Sequence, residues 1–263
     1  MCTRGENSYV DIITIAKDDE VGLPLTIESI RGQTHSNWKL ILVIAKSNDA
    51  TLEIAESYQE LDSRITVLKQ EDQGIYQAMN LGLGNSKSQY VWFLNSGDYF
   101  SSSNVLCHNV ADINNLNAGF IVGGYRVNNQ LGSNLQAFRK LGKISFAFNR
   151  NKGCHQAMIF DREMIALFEG YDQSFQIASD FDLCLKIIEI SNCFSVDRLN
   201  CVIAGDGFSD SNLLLMHKEK SFIRRKNLGN NITMRFLDKS WFVAAILKIF
   251  VFEKLLRGKL LDQ

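Results

Sequence analysis

Between positions 9 and 94 the chain alternates short apolar runs with segments whose apolar residues recur every three to four positions. Tyr9–Ala16 (YVDIITIA), Trp38–Ala45 (WKLILVIA), the shorter Ile65–Leu68 and Tyr90–Leu94 (YVWFL) are rich in β-branched or aromatic residues. Runs of this kind, with almost no polar alternation, predict strands buried on both faces. Between them, Leu23, Ile27 and Ile30 fall at i, i+4 and i+7 behind Gly22 and Pro24, and proline suits a first helical turn. Ser47-Asn48-Asp49 offers capping chemistry to a helix carrying Leu52, Ala55 and Tyr58 on one side, and Gly74–Leu83 reads as another helix. Beyond residue 118 the pattern loosens. Gly119–Val127 and Cys154–Phe160 read as strands, Phe181–Ile190 as a helix with a strongly apolar face, and the chain from Lys218 onward as helical and basic.

Strands alternating with helices predict an α/β fold with a mainly parallel sheet covered on both faces. In such sheets ligands bind outside the carboxyl ends of the strands. That rule singles out Lys17-Asp18-Asp19, Lys46-Ser47-Asn48 and Asn95-Ser96-Gly97-Asp98. The first strand is not followed by G-x-G-x-x-G, which disfavours a dinucleotide fold.

The 263 residues are 46% hydrophobic and 22% charged, enough to bury a core without disulfides or a structural metal. The net charge of -1 hides an asymmetry, because eleven of the 28 Lys/Arg but only four of the 29 Asp/Glu follow position 217. A basic arm on an acidic body points to an anionic partner such as phospholipid, or to the arm packing on the body. The six cysteines include no C-x-x-C pair, and the first residues lack the apolar stretch of a secretion signal, so a reduced, cytoplasmic protein is expected. H-E-x-x-H, zinc-ligand spacing and G-x-S-x-G are absent, which leaves protease and hydrolase readings little support.

Asn95-Ser96-Gly97-Asp98 directly follows a buried strand. Glycine permits a tight turn, and a carboxylate at the ligand edge suits Mg²⁺ or Mn²⁺, hard cations that share their shell with substrate phosphates. The same four residues are also ordinary turn chemistry. Asp72-Gln73-Gly74-Ile75-Tyr76-Gln77-Ala78-Met79-Asn80 (DQGIYQAMN) precedes them at a fixed distance. This pairing resembles the family 2 glycosyltransferases of GT-A fold, of the bacterial capsule, O-antigen and colanic-acid type, in which D-x-G-I-Y-D-A-M-N is followed by F-L-N-S-G-D or F-L-N-S-D-D. The opening IITIAKDD and TIESIRGQT, Cys154-His155-Gln156-Ala157, Ala178-Ser179-Asp180-Phe181-Asp182 and Gly205-Asp206-Gly207-Phe208-Ser209 extend the resemblance over residues 9 to 210.

The resemblance implies a Rossmann-like GT-A domain over 1–217, a basic amphipathic helical extension over 218–263, and an inverting, metal-dependent sugar transfer. It assigns Asp180 as the base and Asp98 as the metal ligand. It puts Ala16, Lys17, Asp18, Lys46, Asp72, Gly74, Asn80, Asn95 and Ser96 on a UDP-, GDP- or dTDP-sugar donor, and His155, Gln156 and Ser179 on acceptor or diphosphate. The two chemistries are compatible, since one carboxylate must meet a hydroxyl proton and the other a cation. Asp180 equally suits the N-cap of the helix it precedes, His155 equally suits a structural role, and Asp182 suits the helix dipole. One departure stands out. Relatives often carry D-G-G-S or D-D-G-S after the second strand, where the first aspartate reads the donor base, and Ile44-Ala45-Lys46 stands there instead. A non-catalytic saccharide- or partner-binding protein of the same fold is therefore the alternative, and a nucleotidyltransferase a weaker one.

Within the arm, Trp241–Phe252 is apolar except for Lys248. A bilayer span needs about 20 apolar residues, so this run is too short. An interfacial helix on anionic headgroups, which would bring the protein to a polyprenyl-diphosphate-linked acceptor at the inner face of the cytoplasmic membrane, and a helix packed on the body both fit. No nucleic-acid module is recognisable.

Overall fold

A computed structural model describes residues 8–71, 74–127, 138–148, 153–205, 212–229, 232–233 and 235–244. The predicted apolar runs form strands β1 (Val10–Ala16), β2 (Trp38–Ala45), β3 (Ile65–Gln70) and β4 (Tyr90–Phe93). They pair in parallel in the order β3-β2-β1-β4. Helices α1 (Gly22–Arg31), α2 (Thr51–Leu61) and α3 (Ile75–Asn85) connect them. Successive strand residues point to opposite faces, so Ile13 and Val43 join one core, with Met79 and Phe160. Ile12 and Leu42 join the other, with Leu23, Ile27 and Trp38. Helix α3 approaches the sheet closely at Gly82, where a Cβ would lie 2.5 Å from Ile13 Cγ2.

Beyond β4 the sheet becomes mixed. The short β5 (Tyr99–Phe100) and helix α4 (Val105–Leu116) precede β6 (Phe120–Val127). The two-residue β7 (Arg139–Lys140), the short α5 (Lys143–Ala147), β8 (Met158–Asp161) and α6 (Arg162–Ala166) follow. Then come α7 (Ser179–Ile190), the eleven-residue β9 (Cys193–Ile203) and α8 (Leu213–Leu228). The full order is β3-β2-β1-β4-β8-β6-β9-β5, with β7 on β9. Strand β8 runs antiparallel to both β4 and β6.

Two boundaries differ from expectation, each for a visible reason. The strand expected from Cys154 begins only at Met158, because His155–Ala157 is a 3₁₀ turn. Trp92 Nε1 donates to the Gln156 carbonyl (2.8 Å) and Asn200 Nδ2 to the Ala157 carbonyl (3.0 Å), which takes these residues out of the ladder. Helix α8 runs unbroken through the boundary expected at 217/218, so the basic arm starts inside an element that packs on the body. Its Ile223 and Arg224 are buried. Among the described cysteines, Cys154, Cys184, Cys193 and Cys201 are free.

Candidate active site

The loops after β1, β2 and β4 meet at the carboxyl edge of the sheet. Gly97, at φ +85°, turns the chain after β4 so that Ser96 N donates to the Ile15 carbonyl (3.2 Å) and Ser96 Oγ to Asp19 Oδ2 (2.6 Å). Asp18, itself at φ +48°, accepts from Asn48 N (2.7 Å), and Asp19 N donates to Thr51 Oγ1 (2.8 Å). These bonds fix the floor of an apolar cavity of about 530 Å³, lined among others by Ala16, Lys17, Asp19, Gln70, Gly74 and Asn95. A second cavity of about 330 Å³ opens beside it. Its walls include Asn95, His155, Gln156, Asp180, Tyr76 and Lys220. Asn95 and Ile75 line both, so the two are one continuous cleft.

Asp180 lines the second cavity. Helix α7 begins at Ser179, two residues earlier than the apolar pattern suggested, so Asp180 lies in its first turn rather than at the cap. The three backbone N–H groups before the helix, on Gln176, Ile177 and Ala178, donate instead to the Glu219 carboxylate of α8 at 2.8–3.0 Å. This leaves the Asp180 carboxylate to the cavity. Its Oδ2 lies 3.8 Å from His155 Nδ1, and its Oδ1 lies 3.3 Å from the Tyr76 hydroxyl, which donates to the Ile177 carbonyl at 2.5 Å. Burial lowers the His155 pKa, although Asp180 pulls the other way, and burial raises that of Tyr76. Both neighbours are therefore neutral near pH 7.

Asp98 is only 4% exposed and lines neither cavity. Its Oδ1 accepts from Ala204 N (3.0 Å), and the Gln156 side chain donates to it. Burial pushes its pKa up to about 7, against these bonds and with help from the nearby Asp19 charge. A carboxylate so desolvated lacks a counter-charge. Asn95 lines both cavities, and its buried Oδ1 has no hydrogen-bond partner among the described residues. Among the described residues no three His, Cys, Asp or Glu side chains are grouped to hold a metal unaided. What is present fits a hard cation that takes one or two protein oxygens and completes its shell with phosphate oxygens and water.

Not every expected residue faces the cleft. Lys46 is exposed and lines neither cavity. Asp18 is occupied in tying two loops together. Asn80 donates to the Tyr171 carbonyl and accepts from Tyr171 N, both at 2.8 Å, so it splices two segments of the body. Ser179 is fully buried outside both cavities, and Asp182 bonds to Asn227 (2.8 Å) and Lys186 (2.6 Å). Asp72 and the segment 206–209 lie outside the described residues. Conversely, Tyr76, Gln70 and Lys220 line the cleft without having been expected there. Tyr76 was visible inside DQGIYQAMN, whereas Lys220 was hidden as one cation among eleven in the arm.

Comparison with known proteins agrees with this architecture. The family model described as "Glycosyl transferase family 2" matches residues 11–173. A PGL/p-HBAD biosynthesis glycosyltransferase of Mycobacterium tuberculosis is 25% identical over 216 residues, covering 82% of each chain. The Staphylococcus aureus TarS fragment 1–349, solved with UDP-GlcNAc, superposes with a TM-score of 0.69 at 13% identity, over 93% of this chain and 73% of that one. The Pyrobaculum calidifontis mannosyltransferase PcManGT, solved with GDP-Man and Mn²⁺, gives 0.64 at 13%, over 97% and 80%. At that identity the two structures establish the GT-A fold alone, whereas the family model spans well over half of the sequence: the chain belongs to glycosyl transferase family 2.

Proposed function

We propose that this glycosyltransferase moves a sugar, with inversion, from a nucleoside-diphosphate donor to an acceptor hydroxyl, and that Asp180 is its base. The observation that carries this reading is the Asp180 carboxylate, which lines a cleft continuous through Asn95 with an apolar cavity at the carboxyl ends of β1 and β2. It stands between two neutral neighbours, and among the described residues its only ion-pair contact is with one of them, the neutral His155. The acceptor oxygen attacks the anomeric carbon as its proton passes to an Asp180 oxygen. The bond from that carbon to the diphosphate oxygen breaks, and its electron pair leaves with the nucleoside diphosphate. Asp98 and Asn95 would hold a Mg²⁺ or Mn²⁺ ion, which supplies positive charge to the leaving diphosphate. The nucleoside would occupy the apolar cavity against Ala16, Lys17 and Gly74, with Ser96 and Asp19 fixing its floor. The neutral His155 imidazole, with Gln156, would orient the acceptor.

The arm gives the acceptor its setting in this reading. Ile232, Phe236 and Val243 are exposed beside Arg225, Arg235 and Lys239, a composition suited to anionic headgroups and hence to a lipid-linked saccharide in surface polysaccharide synthesis. Among the described residues no helix is long and apolar enough to cross a membrane.

Calorimetry of UDP-, GDP- and dTDP-sugars, with and without Mn²⁺, tests the donor. Asp180→Asn tests the base. We expect one donor class to bind more tightly with metal, and Asp180→Asn to bind it while losing transfer. Retained transfer would remove Asp180 from the role, and binding of saccharide without any donor would favour the non-catalytic alternative.

A further inference from the structure

Helix α8 does more than pack against the body. Glu219 gathers the three N–H groups ahead of α7, and the next residue, Lys220, enters the same cavity as Asp180. The side chain is half-buried, and its Nζ lies 5.3 Å from the centre of the Phe181 ring. Among the described residues no carboxylate forms an ion pair with it, although Lys143, Lys186 and Lys226 each have one. A half-buried ammonium lining a cleft without a paired carboxylate calls for an anionic ligand.

We propose that Lys220 is a phosphate-binding residue of the transfer reaction, presented to the leaving diphosphate by the C-terminal helix, with Glu219 as its positioning residue. The inference rests on the donor reading above. As the glycosidic bond breaks, its electron pair settles on the terminal phosphate oxygen, and the nucleoside diphosphate gains one negative charge. Asp19 and Asp180 make the described walls of the cleft acidic, so a cation lining the same cleft offsets the charge that develops on the leaving diphosphate. Burial lowers the lysine pKa while Asp180 opposes the fall, and a phosphate would favour the charged form further. Fixing Glu219 to the 176–178 backbone sets the distance between Lys220 and α7, so both charged groups of the cavity are held by one connection.

The test titrates UDP, GDP and dTDP, each with Mn²⁺, into the full-length protein, beside the matching nucleoside of whichever binds. Lys220→Met should weaken the diphosphate about tenfold or more, in line with loss of a bond to a charged group. Affinity for the nucleoside should not change, and Lys220→Arg should restore most of the loss. Lys220→Gln, which keeps polar reach without charge, should behave as Lys220→Met does. Glu219→Gln should weaken the diphosphate in wild type but add little in the Lys220→Met background, whereas a merely structural Glu219 would cost the same in both. Unchanged diphosphate affinity in Lys220→Met overturns the proposal. So does an effect confined to the KM of the acceptor, which would assign the cation to an acceptor phosphate. If wild type binds none of the three diphosphates, the donor reading itself fails and the role of Lys220 falls with it.

Discussion

His155 Nδ1 stands 3.8 Å from Asp180 Oδ2, too far for a hydrogen bond and close enough for the charge of one to govern the other. Burial keeps the imidazole neutral near pH 7, so the carboxylate is not neutralised by its neighbour. On the proposed mechanism, removing the carboxylate should therefore remove the proton acceptor without disturbing donor binding. Asp180→Asn is expected to lower kcat by about 10²- to 10⁴-fold, the usual worth of a general base. Single-turnover transfer and donor titration on the same preparation check both halves.

The same imidazole makes a stability prediction. Its folded-state pKa lies below the unfolded value, so the folded state resists its protonation. A depressed pKa contributes stability that is present above the unfolded value and lost as pH falls. His155→Gln should thus narrow the fall in melting temperature below about pH 6.5, the reference value for histidine. Parallel acid profiles for the two proteins would show that the buried imidazole does not carry this cost.

Asp98 gives the opposite sign. Its pKa is raised from 3.8 to about 7, so the folded state favours the neutral acid. The stability from that preference is complete below the unfolded value and is lost as pH rises toward 7. In metal-free buffer Asp98→Asn, which keeps the acceptor facing Ala204 N, should match wild type near pH 4 and exceed it at pH 8. Mn²⁺ with a nucleoside diphosphate should reverse the order at pH 8, because only the carboxylate gains from the cation. Melting curves at both pH values decide this. A difference independent of pH would mean that burial of the charge is not what the site pays for.

Asp11 tests the scaffold rather than the site. It is 2% exposed and accepts from Ser86 Oγ, Lys87 N, Ser88 N and Ser88 Oγ at 2.6–2.9 Å, which ties β1 to the loop entering β4. Asp11→Ala would strand two backbone N–H groups and two hydroxyls in the interior. We expect a loss of about 3 kcal/mol or more, since each stranded donor costs about 1–3 kcal/mol. Urea denaturation measures it. A loss below about 1 kcal/mol would imply that water reaches the donors.

The parallel half of the sheet was legible because its strands are buried on both faces and leave unbroken apolar runs. The mixed half was not. Strand β9 carries Asp197, Arg198 and Asn200 within its apolar residues, and α4 carries Asn109 and Asp112. In the fold Asn109 and Asn200 exchange two side-chain bonds at 3.0 and 3.1 Å, and Arg198 pairs with Asp112. Polar residues satisfied by partners 86 to 91 positions away look like loop to any local pattern. The site divides in the same way. Asp180, His155 and Asn95 stand in recognisable segments and do meet, whereas Asn80 stands in one and serves the body. Glu219 and Lys220 come from an arm whose charge alone was readable.

The attachment of that arm yields the last prediction. Arg224 and Asp238 form an ion pair at 2.6 Å with side chains 3% and 7% exposed, and Ser221 donates to the second Asp238 oxygen at 2.5 Å. Arg224 also reaches the Ala147 carbonyl (3.5 Å) and lies over the Phe148 ring, against which Trp241 packs edge-on. Asp238→Ala would leave the guanidinium buried without its counter-charge, a change worth about 3–5 kcal/mol where it is fully felt. Because α8 ends shortly after, at Leu228, the helix should respond by opening locally before the sheet unfolds. Amide exchange should rise across 213–228 while β1 and β2 stay protected. Transfer should fall in step, since Glu219 and Lys220 ride on the helix that opens. Exchange that rises uniformly through the chain would instead mean that the arm and the sheet unfold as one cooperative unit.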